Sequence, residues 1–143
     1  MVFQGSQMLD AAPEKVFSAL LDPKILSECI PGIEDLKREN DTFSGHLEMK
    51  VAFVRIRLKG KMVLLEAYPD RIECQIEAQS SLGKAFARAT VRISQTETGS
   101  QVDWEGHPQL HGLLSKVDLG MWKNTVSDKA QQFFRKLEKA LQP

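Results

Sequence analysis

Between Asn40 and Trp104 apolar and polar residues alternate, with short turns separating the runs, and this period of two constrains the fold more than any other feature. Phe43, Gly45, Leu47, Met49, Val51 and Phe53 alternate with Thr42, Ser44, His46, Glu48 and Lys50. Ile56, Leu58, Met62 and Leu64 then lie on one face, with Arg55, Arg57, Lys59 and Lys61 on the other. Tyr68-Pro69-Asp70 turns the chain, after which Ile72, Cys74, Ile76 and Ala78 alternate with Arg71, Glu73, Gln75 and Glu77. Past Ser80-Ser81-Leu82-Gly83 the apolar face continues through Ala85, Ala87, Ala89, Val91 and Ile93. Beyond Thr98-Gly99-Ser100 it ends with Val102 and Trp104. Each run reads as a half-buried strand, and connections this short predict an antiparallel meander.

Other periods flank these strands. Val2 to Leu9 reads as a first strand. Pro13 then opens a short helix carrying Val16, Phe17, Leu20 and Leu21 on one side. Asp22-Pro23 breaks it, and a second short helix with Ile25, Leu26 and Cys29 ends at Pro31-Gly32. At the other end Trp122, Val126, Ala130, Phe133, Leu137 and Leu141 recur at intervals of three or four, the stripe of one long amphipathic helix. Its start is expected near Ser115, whose Ser-x-x-Asp spacing to Asp118 resembles a capping box. Gly120 either precedes the helix proper or marks a close backbone approach. The order predicts an α+β fold in which a curved antiparallel sheet wraps around the long C-terminal helix, with two short helices after strand 1.

A chain of 143 residues is enough for one such domain, spanning 1–143. Nineteen basic residues balance nineteen acidic ones, and a pI near 6.8 argues against nucleic acid as a partner. The balance is a cancellation between regions: residues 22–48 hold seven acids and three bases, whereas 55–61 contribute four bases and no acid. No window approaches the roughly 20 apolar residues of a membrane-spanning helix, and the N-terminus lacks signal-peptide features, so a cytoplasmic location is expected. Cys29 and Cys74 form no CxxC pair and read as reduced, buried thiols.

Leu21-Asp22-Pro23, then Cys29-Ile30-Pro31-Gly32 and Leu36, resemble the signature of the carbon monoxide dehydrogenase G-subunit family, a branch of the START-like (SRPBCC, polyketide cyclase and birch-pollen-allergen-like) helix-grip superfamily. The resemblance continues through Leu58-Lys59-Gly60-Lys61, Gly83-Lys84-Ala85, Gly112, Leu119-Gly120 and Phe133-Phe134. It implies a non-catalytic protein that holds a hydrophobic molecule such as a quinone or lipid and serves a molybdenum hydroxylase. It also implies peripheral contact with the cytoplasmic face of the membrane. Family members often present Gly-Pro where this chain has Ala52-Phe53, and many continue into a Pro-rich or apolar C-terminal extension.

Given a helix-grip cavity, the inward positions expected to bind the ligand are Leu47, Met49, Leu58, Met62, Ile76, Ala87, Ala89, Trp104, Trp122, Val126 and Phe133. Cys29, Ile30, Pro31 and Gly32 are expected at its rim. Arg55, Arg57, Lys59 and Lys61 form a basic row that suits a membrane headgroup layer or an acidic partner protein. Trp122, Phe133 or Phe134 could instead fill the space over the three alanines.

No catalytic constellation emerges. His46 lies on a polar strand face. His107 and His111 are four apart but separated by Pro108, with no third ligand, so no metal site is expected. Glu73, Glu77, Asp103 and Glu105 all fall on the polar face, and no base adjoins Cys29. Two other functions fit the same fold. One is an enzyme of the cyclase or hydrolase type, which needs a polar group inside the cavity; the other is an interaction module with a filled core.

Overall fold

The computed structural model describes residues 1–142, so Pro143 lies outside the described residues. The strands are β1 (Phe3–Leu9), β2 (Ile33–Glu39), β3 (Thr42–Val51), β4 (Val54–Tyr68), β5 (Arg71–Ser80), β6 (Gly83–Gln95) and β7 (Ser100–Gly112). They form one antiparallel sheet in the order β1-β7-β6-β5-β4-β3-β2, so the meander is closed at one edge by the first strand. Two short helices, α1 (Pro13–Leu20) and α2 (Pro23–Cys29), follow β1, and the long α3 (Leu119–Leu141) ends the fold. This is the expected helix-grip arrangement of sheet and terminal helix.

The alternation sets the faces as the sequence predicts, because inward residues of neighbouring strands meet in register. Leu47 pairs with Leu58, Met62 with Ile76, and Cys74 with Ala89. Three apolar clusters result. Leu9, Val16, Ile93, Val102, Phe134 and Leu137 join β1, β6 and β7 to α1 and the end of α3. Met49, Val51, Ile56, Leu58, Leu114 and Trp122 join the β3–β4 hairpin to the start of α3. Leu26 of α2 clusters with Phe43, Leu64, Ile72 and Cys74 of the sheet, and Phe133 packs against this cluster and the first. The only buried polar side chain among the described residues is Ser100, whose hydroxyl donates to the Ala11 carbonyl at 2.6 Å.

Three local expectations change. Phe53 does not continue the inward face of β3: Val51 pairs with Val54, leaving Ala52 and Phe53 as a two-residue turn with Phe53 94% exposed. The long helix begins later than Ser115. Residues Leu113–Lys116 form a 3-10 turn in which the Ser115 hydroxyl donates to the Gly112 carbonyl at 2.7 Å. The cap is Asp118, whose Oδ1 accepts from the Gly120 and Met121 amides at 2.9 and 3.3 Å, so Gly120 lies in the first turn, where glycine is mild. Finally, residues 33–39 add an edge strand, β2, to the strands read from the alternation.

Cys29 and Cys74 are both free and buried. Burial, aided by the charge of Glu73, pushes the Cys74 thiol from 9.0 to about 11. The folded state thus keeps a proton that the unfolded chain releases above pH 9. Stability from this group is intact below pH 9 and is lost as pH rises to about 11, by up to ~2.7 kcal/mol. Urea melts of Cys74→Ala and the parent should therefore converge between about pH 8 and about pH 10.5. A constant difference would show that the thiol titrates alike in both states.

Candidate functional site

An apolar cavity of about 220 Å³ opens on the inner face of the sheet between α2 and strands β2 to β5. Leu26 and Ile30 come from α2 and its end, Ile33 and Leu36 from β2, Phe43 and Leu47 from β3, Leu58 and Met62 from β4, and Ile76 and Ala78 from β5. Its floor carries small residues. Gly45 and Gly60 face each other in register on β3 and β4, with Ala78 beside Gly60 on β5. Ser44 and Lys61 also border it, at positions that alternate with the inward Gly45, Gly60 and Met62. No histidine and no carboxylic acid is among its lining residues.

Of the residues expected to bind ligand, Leu47, Leu58, Met62 and Ile76 come together here, along with Ile30 from the expected rim. The others lie elsewhere. Met49 and Trp122 are packed in the hairpin cluster, where the indole N–H donates to the Leu114 carbonyl at 3.1 Å. Ala89 and Phe133 both pack against the cluster under α2. Ala87 pairs with Pro108, farther along the sheet. Trp104 and Val126 meet at a separate shallow hollow between β1 and α3. The cavity thus sits under α2 rather than against α3. Sequence reasoning did not assign Ile33, Leu36, Phe43, Gly45, Gly60 and Ala78 to the site. The glycine pair on the inward face was the available signal.

The rim is a pinned loop. Cys29 is buried in the core, whereas Gly32 adopts φ +82° and its carbonyl accepts from the Glu48 amide at 3.0 Å. The Lys129 ammonium donates to the Pro31 carbonyl at 2.9 Å and to the Glu48 carbonyl at 3.4 Å, tying α3 to both sides of the loop. Partial burial, reinforced by the nearby charge of Lys136, holds the Lys129 pKa below its ordinary value.

Several titratable groups outside the cavity have structural partners. His46 Nδ1 lies 3.8 Å from Asp35, His107 Nε2 lies 2.7 Å from Glu105, and His111 meets Phe86 edge to face. Glu73 bridges Arg71 and Arg88, and hydrogen bonds from Ser6 and Gln101 hold the Asp103 carboxyl below its usual value. No group of three His, Cys, Asp or Glu among the described residues is arranged to hold a metal ion. Arg55, Arg57, Lys59 and Lys61 all project outward from β4, away from the cavity face, and Arg57 is engaged by Glu34 at 3.3 Å. No helix among the described residues is long and apolar enough to cross a membrane.

A family model described as the carbon monoxide dehydrogenase G subunit (CoxG) matches residues 5–142. No curated protein matches the chain in sequence. Among solved structures, a conserved protein from Geobacillus kaustophilus superposes with a TM-score of 0.91 at 21% identity, covering 99% of this chain and 95% of its own. A protein from Chromobacterium violaceum gives 0.76 at 15% identity, covering 99% and 98%. The Zhui aromatase/cyclase from Streptomyces sp. R1128 gives 0.72 at 10% identity, covering 99% and 93%. At these identities the likeness to solved structures is one of fold.

Proposed function

The chain belongs to the carbon monoxide dehydrogenase G-subunit (CoxG) family, and from that premise we propose that it carries an apolar small molecule as a non-catalytic accessory of a molybdenum hydroxylase. The observation that supports ligand carriage is the apolar cavity under α2, whose lining offers burial and almost no polar recognition. Affinity then comes from apolar area removed from water, at ~25 cal/mol per Å². An apolar cavity of about 150 Å³ takes up benzene. About 220 Å³ therefore suits a fused-ring head such as that of a naphthoquinone, with any isoprenoid tail left outside. A quinone also fits service to a redox enzyme, which must pass electrons on.

Turnover within the same cavity is the alternative, since an aromatase/cyclase shares the fold. Acid and base catalysis needs a proton-transfer group within reach of the substrate. The three histidines and the four carboxylates on the polar strand faces lie outside the cavity lining, which favours carriage over chemistry.

Protein purified from its own host should show, by native mass spectrometry, a bound apolar molecule released on denaturation, and the emptied protein should bind a naphthoquinone in calorimetric titration. Recovery free of any small molecule, with no naphthoquinone binding, would overturn ligand carriage. Co-purification of a molybdenum hydroxylase tests the client separately.

A further inference from the structure

The outer face of the sheet, opposite the cavity, carries a hollow of its own of about 290 Å³. Register places its walls. Lys61, Glu77 and Phe86 are direct cross-strand neighbours on β4, β5 and β6, and Lys59, Gln79 and Lys84 form the next row. Strands lie about 4.8 Å apart and outward residues of one strand about 7 Å apart, so the three lysines stand within reach of a single small molecule. All three are exposed, and none is in a salt bridge among the described residues. Glu77 is the one acid in the lining. Phe86 is 37% exposed among these charged side chains, and His111 meets it edge to face at 5.7 Å. Gly60 and Ala78 back both this hollow and the inner cavity, so one layer of sheet separates the two.

We propose that this hollow binds a nucleoside di- or triphosphate, its base against Phe86 and its phosphates among Lys59, Lys61 and Lys84. Ammonium groups on flexible stems converge readily on phosphate oxygens, and three of them against one carboxylate leave positive charge for a polyanion to neutralise. A base presents a flat face to an aromatic side chain, an attraction that serves any base. The volume is nearly twice the ~150 Å³ that takes up benzene, which suits a fused-ring base with the phosphates reaching over the lysines. An acidic peptide would match the lysines but leave Phe86 unused, and an inorganic anion would fill little of the hollow. Glu77, between Lys61 and Phe86 in register, stands where it can accept from a ribose hydroxyl. The proposal goes beyond apolar carriage and does not depend on it, because the two sites lie on opposite faces of the sheet.

Calorimetric titration of the full chain with ADP at low salt tests it. ADP should bind, and bind less tightly as salt rises. Adenosine and inorganic pyrophosphate should each bind at least about tenfold more weakly, since each keeps only one of the two attractions. Phe86→Ala should weaken ADP binding about tenfold, the order expected for one stacked base. Phe86→Trp should retain binding, with its indole fluorescence quenched by ADP. Lys59→Gln, Lys61→Gln and Lys84→Gln should each weaken ADP binding about tenfold, whereas Lys123→Gln, on α3, should bind as the parent does. Gly60→Leu, whose new side chain enters the inner cavity, should bind ADP normally while losing naphthoquinone, so the nucleotide site and the carrier reading fail separately. Absence of ADP binding at low salt, indifference to Phe86→Ala, or pyrophosphate or an oligoglutamate peptide binding as tightly as ADP would each overturn the proposal.

Discussion

Replacing Gly60 with leucine is expected to abolish uptake of the apolar ligand while leaving the protein folded and somewhat more stable. Gly60 lies on the inward face of β4, opposite Gly45 and beside Ala78, at the floor of the cavity. A Cβ built there meets nothing closer than the Glu77 carbonyl oxygen at 3.8 Å and the Gly45 carbonyl oxygen at 3.9 Å, which is ordinary contact. The side chain then has the cavity to fill. Each buried methylene is worth ~0.8 kcal/mol, and removal of a strand glycine adds a few tenths more, so a gain of ~1 to 2 kcal/mol is expected after imperfect fit. Ligand affinity should fall by at least about a hundredfold, ~2.8 kcal/mol, because four carbon atoms now occupy space the ligand needs. Thermal melts and naphthoquinone titrations of the same preparation measure both effects. A folded Gly60→Leu that binds undiminished would move the ligand out of this cavity.

Gly45 provides the contrast. A Cβ there comes within 3.2 Å of the Glu34 carbonyl oxygen and 3.3 Å of the Leu36 Cα, so a larger residue presses on the backbone of β2 rather than on empty space. The two glycines face each other across one strand pair, yet only one can be filled without moving a neighbour.

What was legible in the sequence follows from which forces act locally. Strands β3 to β7 were readable because an apolar side chain at every second position has one face to bury, and the register keeps that face together over the sheet. β2 was not, because Ile33-Glu34-Asp35-Leu36-Lys37-Arg38-Glu39 is mostly charged. Its pairing with β3 also slips between Glu34 and Lys37, where Asp35 adopts φ +55°. Alternation is lost where an extra residue is accommodated. Phe53 obeyed the period of its strand but fell just past the last paired residue, and the period carries no mark of where a hairpin turns.

The cavity was legible only in part for a related reason. Four of its walls, Leu47, Leu58, Met62 and Ile76, were already inward by alternation. Periodicity reports which face is buried but not what covers it. The stripe on α3 and the small apolar side of α2 are equivalent signals, and in the structure α2 covers the open space while Trp122 and Phe133 of α3 fill their own. The open floor was encoded by Gly60, which contributes nothing to a hydrophobic count.

Gly32→Ala is expected to act oppositely to Gly60→Leu, lowering stability by ~3 kcal/mol and loosening the cavity rim. Gly32 has φ +82°, where an L residue costs roughly 1 to 2 kcal/mol, and its Cβ would overlap the Glu48 carbonyl oxygen. That oxygen belongs to the same residue whose amide donates to the Gly32 carbonyl, and it also accepts from Lys129. The loop must therefore move off β3, at a further cost of about 0.5 to 1.5 kcal/mol for each hydrogen bond weakened. For a chain of this size the melting temperature should drop by roughly 6 to 12 °C. Ligand affinity should weaken as well, because Ile30 and Ile33 on either side of the displaced segment are cavity walls. Lys129→Met removes the clasp from the other side, leaving the Pro31 carbonyl without that donor. Since both substitutions release one loop, the double variant should be less destabilised than the sum of the two singles, by about 1 kcal/mol. Strict additivity would mean that Lys129 and Gly32 hold different structures, and the loop would no longer count as a single pinned rim.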